Sequence, residues 1–296
     1  MTRRGRAMGP AWRGRPGPGL RLAKALALAV IVLLVLFPVW TVVATSLAEP
    51  AQVVANGGWV VWPDRVTLGA YAEILAGGVV TRALLVSAGV TVVGTALSLA
   101  CTVGLAYALS RPGVYGGRPL LLLVLVTFLF PPGMVPLFLV VRSTGLFDQY
   151  AALVLPFVVN VFNLVVLRGF FQSIPRELLE AARIDGAGDL AVLWRVVLPL
   201  SKAVLAVVGL FYAVAYWNRF FEAIIYFNDQ SKWPIGTVLR QYVTGGADLT
   251  GEAGLVSAPQ STQMAVVVLA LVPIVCVYPF LQRYFTRGVL TGALKA

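Results

Sequence analysis

The sequence contains no histidine, and it holds only two cysteines among its 296 residues. Histidine is the commonest metal ligand and proton-transfer group in proteins, so its absence disfavours zinc sites and most hydrolytic chemistry. Cys101 and Cys276 both lie inside apolar stretches, which predicts small core residues rather than a disulfide framework. The phosphate-binding pattern G-x-x-x-x-G-K-[ST] is also missing. These absences predict a chain that is not an enzyme and that binds no cofactor of its own.

Charged residues are scarce as well. They make up 12% of the chain and hydrophobic residues 59%, whereas soluble domains are about a quarter charged and about half apolar. The apolar residues are gathered into blocks of roughly twenty, and a helix of that length crosses the roughly 30 Å hydrocarbon core of a bilayer. Backbone N–H and C=O groups inside lipid must bond within their own segment, which favours helices. The composition therefore predicts an all-α, polytopic membrane protein.

Six apolar blocks follow a basic N-terminal tail. The tail, residues 1–22, is rich in Arg, Gly and Pro and is predicted to be disordered. The blocks cover 23–46, 81–109, 119–141, 151–167, 199–226 and 263–282. Together they make a membrane domain over 23–282. The first block is longer than the apolar core of a secretory signal, about 7–15 residues, so we expect a retained helix. The third contains Pro131, Pro132 and Gly133, so we expect its helix to break there.

The net charge of +11 comes from basic residues that flank the apolar blocks, which points to membrane topology rather than to nucleic acid. Arg and Lys are concentrated in the N-terminal tail, in the polar segment 168–198 and in the C-terminal tail 283–296. Cytoplasmic segments of membrane proteins carry such an excess. We therefore expect six spans in a bacterial cytoplasmic membrane, with both termini on the cytoplasmic side.

The polar segment 168–198 carries the most specific pattern in the chain. It includes the run SIPRELLEAARIDGAGDLAVLWRVVLPL, which begins at Ser173. Ser173 is a favourable helix N-cap and Pro175 suits a first helical turn. Glu177 complements the positive end of the helix dipole, and Gly186 can end the helix in a left-handed conformation. The segment therefore predicts a short amphipathic helix on the cytoplasmic side.

The spacing of this segment matches the pattern E-A-A-x3-G-x9-I-x-L-P, with valine at the isoleucine position. It resembles the signature loop of permease subunits of binding-protein-dependent ABC importers. The resemblance implies the type I ABC importer permease fold, with a coupling helix over about 174–188 that docks on a separate ATPase subunit. The residues implied in this coupling are Glu180, Ala181, Ala182, Asp185, Gly186, Leu198 and Pro199.

Three longer stretches resemble carbohydrate importers in particular. They are LRGFFQSIPRELLEAARIDGAGD, LPLSKAVLAVVGLFYAVAYWNRFFEAIIYFND and QRYFTRGVLTGALKA. The similarity is greatest to the second maltose permease subunit and to Gram-positive oligosaccharide permeases. It implies a second homologous permease, two ATPase subunits that bind ATP and Mg²⁺, an extracellular solute-binding protein, a sugar cargo and contact with membrane lipid, but no nucleic acid.

Five polar or aromatic residues are candidates for the substrate pathway. Asn160 and Asn163 lie three apart in the fourth block, which places them on one face if that block is helical. They face either a wet pathway or a neighbouring helix, which asparagine can join by hydrogen bonds. Tyr216, Trp217 and Asn218 lie near the outer end of the fifth block, as part of either an aromatic belt or the pathway.

The sequence also bears on three alternatives: a permease for another solute, a secondary transporter and a membrane-embedded enzyme. The signature loop is equally compatible with a permease for peptides or amino acids. A secondary transporter working alone needs buried ionisable groups, and Glu222 is the only acidic candidate in the spans. We expect Glu222 and Arg219 to form a salt bridge at the membrane interface. A membrane-embedded enzyme is disfavoured because histidine and paired buried carboxylates are missing.

Two segments outside the spans are predicted to contact partners. The long polar segment 227–262 is expected to reach the solute-binding protein on the outer side. The tail 283–296 contains Gly288, Gly292 and Ala293, and such small residues would allow an extended chain to enter a narrow groove on the ATPase.

Overall fold

The structure is a computed structural model that describes residues 18–243 and 259–293. Within these residues it is helical throughout and contains no strand. The helices, in chain order α1 to α14, are Pro18–Ser46, Pro50–Ala55, Gly69–Leu75, Val79–Ser110, Gly117–Leu129, Met134–Ser143, Val161–Gln172, Arg176–Ile184, Asp189–Val192, Leu198–Leu200, Lys202–Trp217, Phe220–Tyr226, Ile235–Val243 and Gln260–Ala293. The all-α prediction is confirmed.

Each predicted apolar block coincides with a long helix or with a bent pair of helices. Helices α1 and α4 are each long and apolar enough to cross a membrane. Three further blocks are each formed by two segments with a bend between them. The bend is 118° between α5 and α6, 48° between the turns at 150–157 and α7, and 85° between residues 189–200 and α11. The sixth block lies in α14. The positions of the blocks are therefore recovered, while the count of six spans stays a prediction.

The third block breaks where the sequence predicts. Helix α5 ends at Leu129 and α6 begins at Met134. Between them Pro131 and Pro132 offer no backbone N–H, and Gly133 has a φ of +81°, a left-handed value that suits glycine. The chain consequently turns by 118° instead of continuing across the membrane as one straight rod.

Helix α4 lies at the centre of the fold and packs on α7, α11 and α13. Its contact with α11 includes two hydroxyl pairs: Ser98 shares a hydrogen bond of 2.7 Å with Tyr216, and Thr102 shares one of 2.6 Å with Tyr212. All four residues are buried. Hydroxyl pairs of this kind hold membrane helices together where apolar contacts with lipid would be equally favourable.

Several predicted boundaries are wrong. The fifth block is not one helix to 226: α11 ends at Trp217, and α12 follows as a separate short helix. The polar segment from 227 is not a plain loop, because it includes α13, whose Ile235 and Val238 are each 1% exposed. Apolar side chains on one face of α13 supply this packing despite the polar average of the segment.

Both chain ends are helical over part of the segments predicted to be disordered or extended. Helix α1 begins at Pro18, inside the tail predicted to be disordered, and residues 1–17 lie outside the described residues. Helix α14 runs without a break to Ala293, so the C-terminal segment is helical there and not extended as predicted. Residues 244–258, part of the predicted binding-protein contact, also lie outside the described residues.

Candidate functional site

The predicted coupling helix is α8, and its start differs from the prediction. Pro175, not Ser173, occupies the N-cap position. Ser173 instead ends α7, where its Oγ donates a hydrogen bond of 2.7 Å to the carbonyl oxygen of Phe170. Serine can satisfy the last carbonyls of a helix as well as the first amides of the next one, so its presence alone did not decide between the two. Glu177 lies in the first turn, as predicted.

The end of α8 confirms the predicted left-handed glycine. Asp185 is the C-cap residue and Gly186 has a φ of +85°. The Gly186 amide donates to the Arg183 carbonyl at 3.0 Å, and the Ala187 amide donates to the Ala182 carbonyl at 2.9 Å. This pair of bonds is a Schellman motif, which satisfies carbonyls that the helix end leaves unpaired. A side chain at Gly186 would strain this closure.

Helix α8 presents an apolar side to the protein and a mixed side to solvent. Leu179 and Ala182 pack against the hydrophobic core below. The predicted coupling residues Glu180 and Ala181 are exposed, and Ile184 is 86% exposed. Among the described residues Glu180 makes no ion pair. The solvent side of α8 thus combines an exposed isoleucine with a carboxylate that forms no ion pair among the described residues and a small alanine.

A polar cluster joins the predicted coupling segment to the C-terminal end of α4. The Asp189 carboxylate forms an ion pair with Arg111, and its Oδ1 lies 4.0 Å from Arg183 Nη2. The Tyr107 hydroxyl donates to the Asp189 carbonyl at 2.9 Å. The hydrogen bond from Arg111 and its charge hold the pKa of Asp189 below its usual value. Asp189 therefore stays ionised at neutral pH and links α8, α9 and α4.

Leu198 and Pro199 lie in a tight bend rather than at the start of the fifth span. A π-helical turn over 193–197 precedes them, and the span helix α11 begins only at Lys202. The buried Ser201 hydroxyl donates to the Val197 carbonyl at 2.6 Å, which closes the bend. The prediction that Pro199 opens the helix of the span is wrong by one short turn. The two residues lie at the 85° bend between the predicted coupling segment and α11.

A cavity of about 340 Å³ opens between α7 and α11. Asn160 and Asn163 both line it. They do not share one helical face as predicted, because Asn160 is the N-cap of α7 and its Oδ1 accepts from the Asn163 amide at 3.1 Å. Asn163 is 3% exposed. The structure thus brings both asparagines to one concave surface.

Aromatic rings and one arginine complete the cavity wall. Phe162 from α7 and Phe211 from α11 have ring centroids 6.1 Å apart. The Arg219 guanidinium lies 3.5 Å from the ring centroid of Phe157 and forms an ion pair of 3.2 Å with Glu222. The pairing of Arg219 with Glu222 is confirmed, while its place at a membrane interface stays a prediction. Its location on the cavity was not predicted.

The other three candidates lie elsewhere. The Tyr216 hydroxyl is buried between Ser98 and the Val154 carbonyl. The Trp217 ring nitrogen donates to the Ala270 carbonyl on α14 at 3.1 Å. Asn218 is exposed and caps α11 by donating to the Val214 carbonyl at 2.8 Å. Within the described residues, none of the three lines this cavity.

Sequence reasoning missed Phe211, Tyr212 and Arg219 as cavity residues. A partial signal was present: Phe211 and Ala215 lie four apart in α11 and share one side of it, whereas Arg219 follows the end of α11 at Trp217. In an apolar helix this spacing is common, because core packing produces it too.

The comparisons with known proteins identify the family. Residues 100–291 match the family model of the binding-protein-dependent transport system inner membrane component. The chain is 45% identical to the polygalacturonan/rhamnogalacturonan transport system permease protein of Bacillus subtilis, over 89% of this chain and 93% of that protein. It is also 45% identical to protein LplC of the same organism, over 88% of this chain and 90% of that protein.

A solved structure supports the same assignment. The chain is 30% identical to a chain in the crystal structure of a bacterial ABC transporter that imports the acidic polysaccharide alginate. The two superpose with a TM-score of 0.83 over 92% of this chain and 99% of the other. The chain therefore belongs to the family of inner-membrane components of binding-protein-dependent ABC importers.

Proposed function

We propose that this chain forms one half of the pathway of an ATP-driven sugar or oligosaccharide importer. A second homologous permease supplies the other half, two ATPase subunits bind ATP and Mg²⁺, and an extracellular solute-binding protein delivers the sugar. The exposed apolar side chains of α1 contact lipid or the second permease. The observation that carries the proposal is α8, which ends at a left-handed glycine and exposes Glu180, Ala181 and Ile184.

The mechanism follows from what α8 contacts. Closure of the ATPase subunits moves α8, which packs on the hydrophobic core through Leu179 and Ala182. The Asp189–Arg111 ion pair carries that motion to α4, and the bend at Ser201 carries it to α11. Because α7 and α11 form the cavity walls, their displacement opens the cavity to one side of the membrane and then to the other.

Sugar as the cargo is supported by the cavity and by the relatives. Amides such as those of Asn160 and Asn163 bind hydroxyl groups, and aromatic rings such as Phe162 and Phe211 pack on the apolar faces of sugar rings. The polygalacturonan/rhamnogalacturonan permease of Bacillus subtilis and the alginate importer are both named for the carbohydrates that they transport. A peptide or amino-acid cargo is the alternative, and uptake of a panel of these solutes into reconstituted vesicles separates the two.

Substitution at the coupling helix tests the proposal. We expect Glu180→Lys and Gly186→Asp to leave the chain in the membrane but to detach the ATPase or abolish its stimulation by the loaded binding protein. Reversing the charge removes a partly desolvated intersubunit bond, worth about 1.5–3 kcal/mol or roughly tenfold to a hundredfold in affinity. Co-purification of the ATPase and stimulated ATP hydrolysis are the measurements.

Gly188→Asp is the matched control for Gly186→Asp. Gly188 has a φ of −68°, and a Cβ added there would meet no atom within 4 Å. It is also the N-cap of α9, a position where aspartate is favoured. We expect this variant to keep the ATPase bound. Normal association and stimulation in both Glu180→Lys and Gly186→Asp would show that α8 is an ordinary loop helix.

A further inference from the structure

The wall of the cavity between α7 and α11 includes an arginine with an unpaired nitrogen. Arg219 Nε, on the cavity wall, is buried and lacks a hydrogen-bond partner among the described residues. Asn163, which is 3% exposed, lines the same cavity. Buried polar groups are nearly always satisfied, so an unpaired arginine nitrogen beside a cavity indicates a ligand that the guanidinium binds.

The arginine is held in a fixed position. One terminal nitrogen is bound to Glu222 at 3.2 Å, and the guanidinium plane lies against Phe157 at 3.5 Å and near Tyr216 at 5.0 Å. The side chain is only 13% exposed. Glu222 offsets part of the charge but leaves Nε without a bond. A fixed planar fork with donors to spare suits a carboxylate, which accepts two parallel N–H bonds.

The neighbouring side chains suit a sugar ring that carries this carboxylate. Asn160 and Asn163 offer amide groups to hydroxyls, and the tilted rings of Phe162 and Phe211 offer an apolar surface. We infer that the cavity is a subsite for a uronic acid unit of an oligosaccharide, with Arg219 binding its carboxylate. This inference rests on the proposed sugar import and specifies an acidic cargo for it.

Selective uptake tests the role of Arg219. The complete importer, with both permeases, the ATPases and the binding protein, is reconstituted and supplied with trigalacturonate or with its neutral methyl ester. We expect Arg219→Gln to lower the acid-to-ester uptake ratio by about tenfold or more, since one charge-assisted contact is lost. Arg219→Lys keeps the charge without the planar fork and should lower the ratio less. Arg142→Gln removes the same charge at an exposed position outside the cavity and should keep the ratio.

A local probe reports on the site without transport. In a chain with Cys101 and Cys276 replaced by alanine, Phe162→Cys places a thiol on the cavity wall, and trigalacturonate should slow its labelling while the methyl ester should not. Arg219→Gln should remove this protection. If the importer carries sugars but Arg219→Gln changes neither the acid-to-ester uptake ratio nor the protection of the thiol, the acidic subsite is wrong and sugar import stands. If protection depends on Arg219 while no sugar enters the vesicles, the proposed import fails and the subsite stands.

Discussion

Gly94 on α4 lies directly against the ring of Tyr216 on α11. A side-chain carbon built at Gly94 would lie 2.8 Å from the ring of Tyr216, closer than such atoms pack. The ring cannot move freely, because its hydroxyl is bonded to Ser98 at 2.7 Å. The absence of a side chain at position 94 thus allows the hydroxyl contacts between α4 and α11 to form.

Gly94→Ala should therefore destabilise the protein. We expect a loss of about 1–3 kcal/mol, the usual cost of overpacking a core, together with lengthening of the Ser98–Tyr216 hydrogen bond. Thermal unfolding of the purified chain in detergent measures this. Gly104→Ala is the control in the same helix, since nothing lies within 4 Å of its added carbon, and it should be neutral or stabilising by about 0.5–1 kcal/mol. Equal melting temperatures for the two variants would contradict the packing argument.

At the scale of elements, the coupling segment is not an isolated helix. Helix α8 closes at Gly186, α9 begins at Asp189, and the Asp189 carboxylate is paired with Arg111 on α4 and lies near Arg183 on α8. Two helices that are distant in sequence are thereby joined at one carboxylate. In the proposed mechanism, motion of α8 would reach the membrane helices through this contact as well as through the chain itself.

Asp189→Asn should weaken coupling without removing the ATPase. The backbone carbonyl of Asp189 still accepts from Tyr107, so α9 keeps its place, while the charged link is lost. We expect stimulated ATP hydrolysis to fall by roughly two- to fivefold, in the range of an exposed ion pair. Stimulation equal to wild type at unchanged ATPase binding would exclude the link as a route of coupling.

The pH dependence of this variant provides a second measurement. The pKa of Asp189 is lowered in the folded protein, mainly by the hydrogen bond from Arg111. A lowered carboxylate pKa means that the ionic contribution is complete above the unfolded value, about 3.9, and is lost only as the pH falls below it. The difference between wild type and Asp189→Asn should therefore stay constant from about pH 5 to pH 8. A difference that vanishes near pH 6 would contradict an ionised Asp189.

At the scale of the whole molecule, the distribution of basic residues predicts which side each loop faces. The loop between α4 and α5 contains fully exposed Tyr115, and the segment after α1 contains Val54, which is 80% exposed. In a chain whose two cysteines are replaced, Tyr115→Cys should react with a membrane-impermeant thiol reagent only in inverted vesicles, and Val54→Cys only in intact cells. The two sites serve as controls for each other, and labelling of both from one side would overturn the topology.

The elements that sequence alone determined are those set by neighbouring residues. Apolar blocks of membrane length, the break at Pro131–Gly133 and the left-handed end of α8 at Gly186 all depend on residues within one or two turns of each other. The spacing of the signature loop likewise belongs to one continuous segment. Ser173 shows the limit, because a serine between two helices can close the first or begin the second, and only its bond to Phe170 decided.

The tertiary structure alone decided the cavity. Phe157 and Asn163 are brought to Phe211 and Arg219 by the packing of α7 against α11, and no local pattern fixes the rotation of one helix against another. Asn160 reaches the wall because the fourth block is bent at it and it caps α7, which helical periodicity did not reveal. The sequence predicts Arg219 near the membrane surface, and only the tertiary packing places it against Phe157 on the cavity wall.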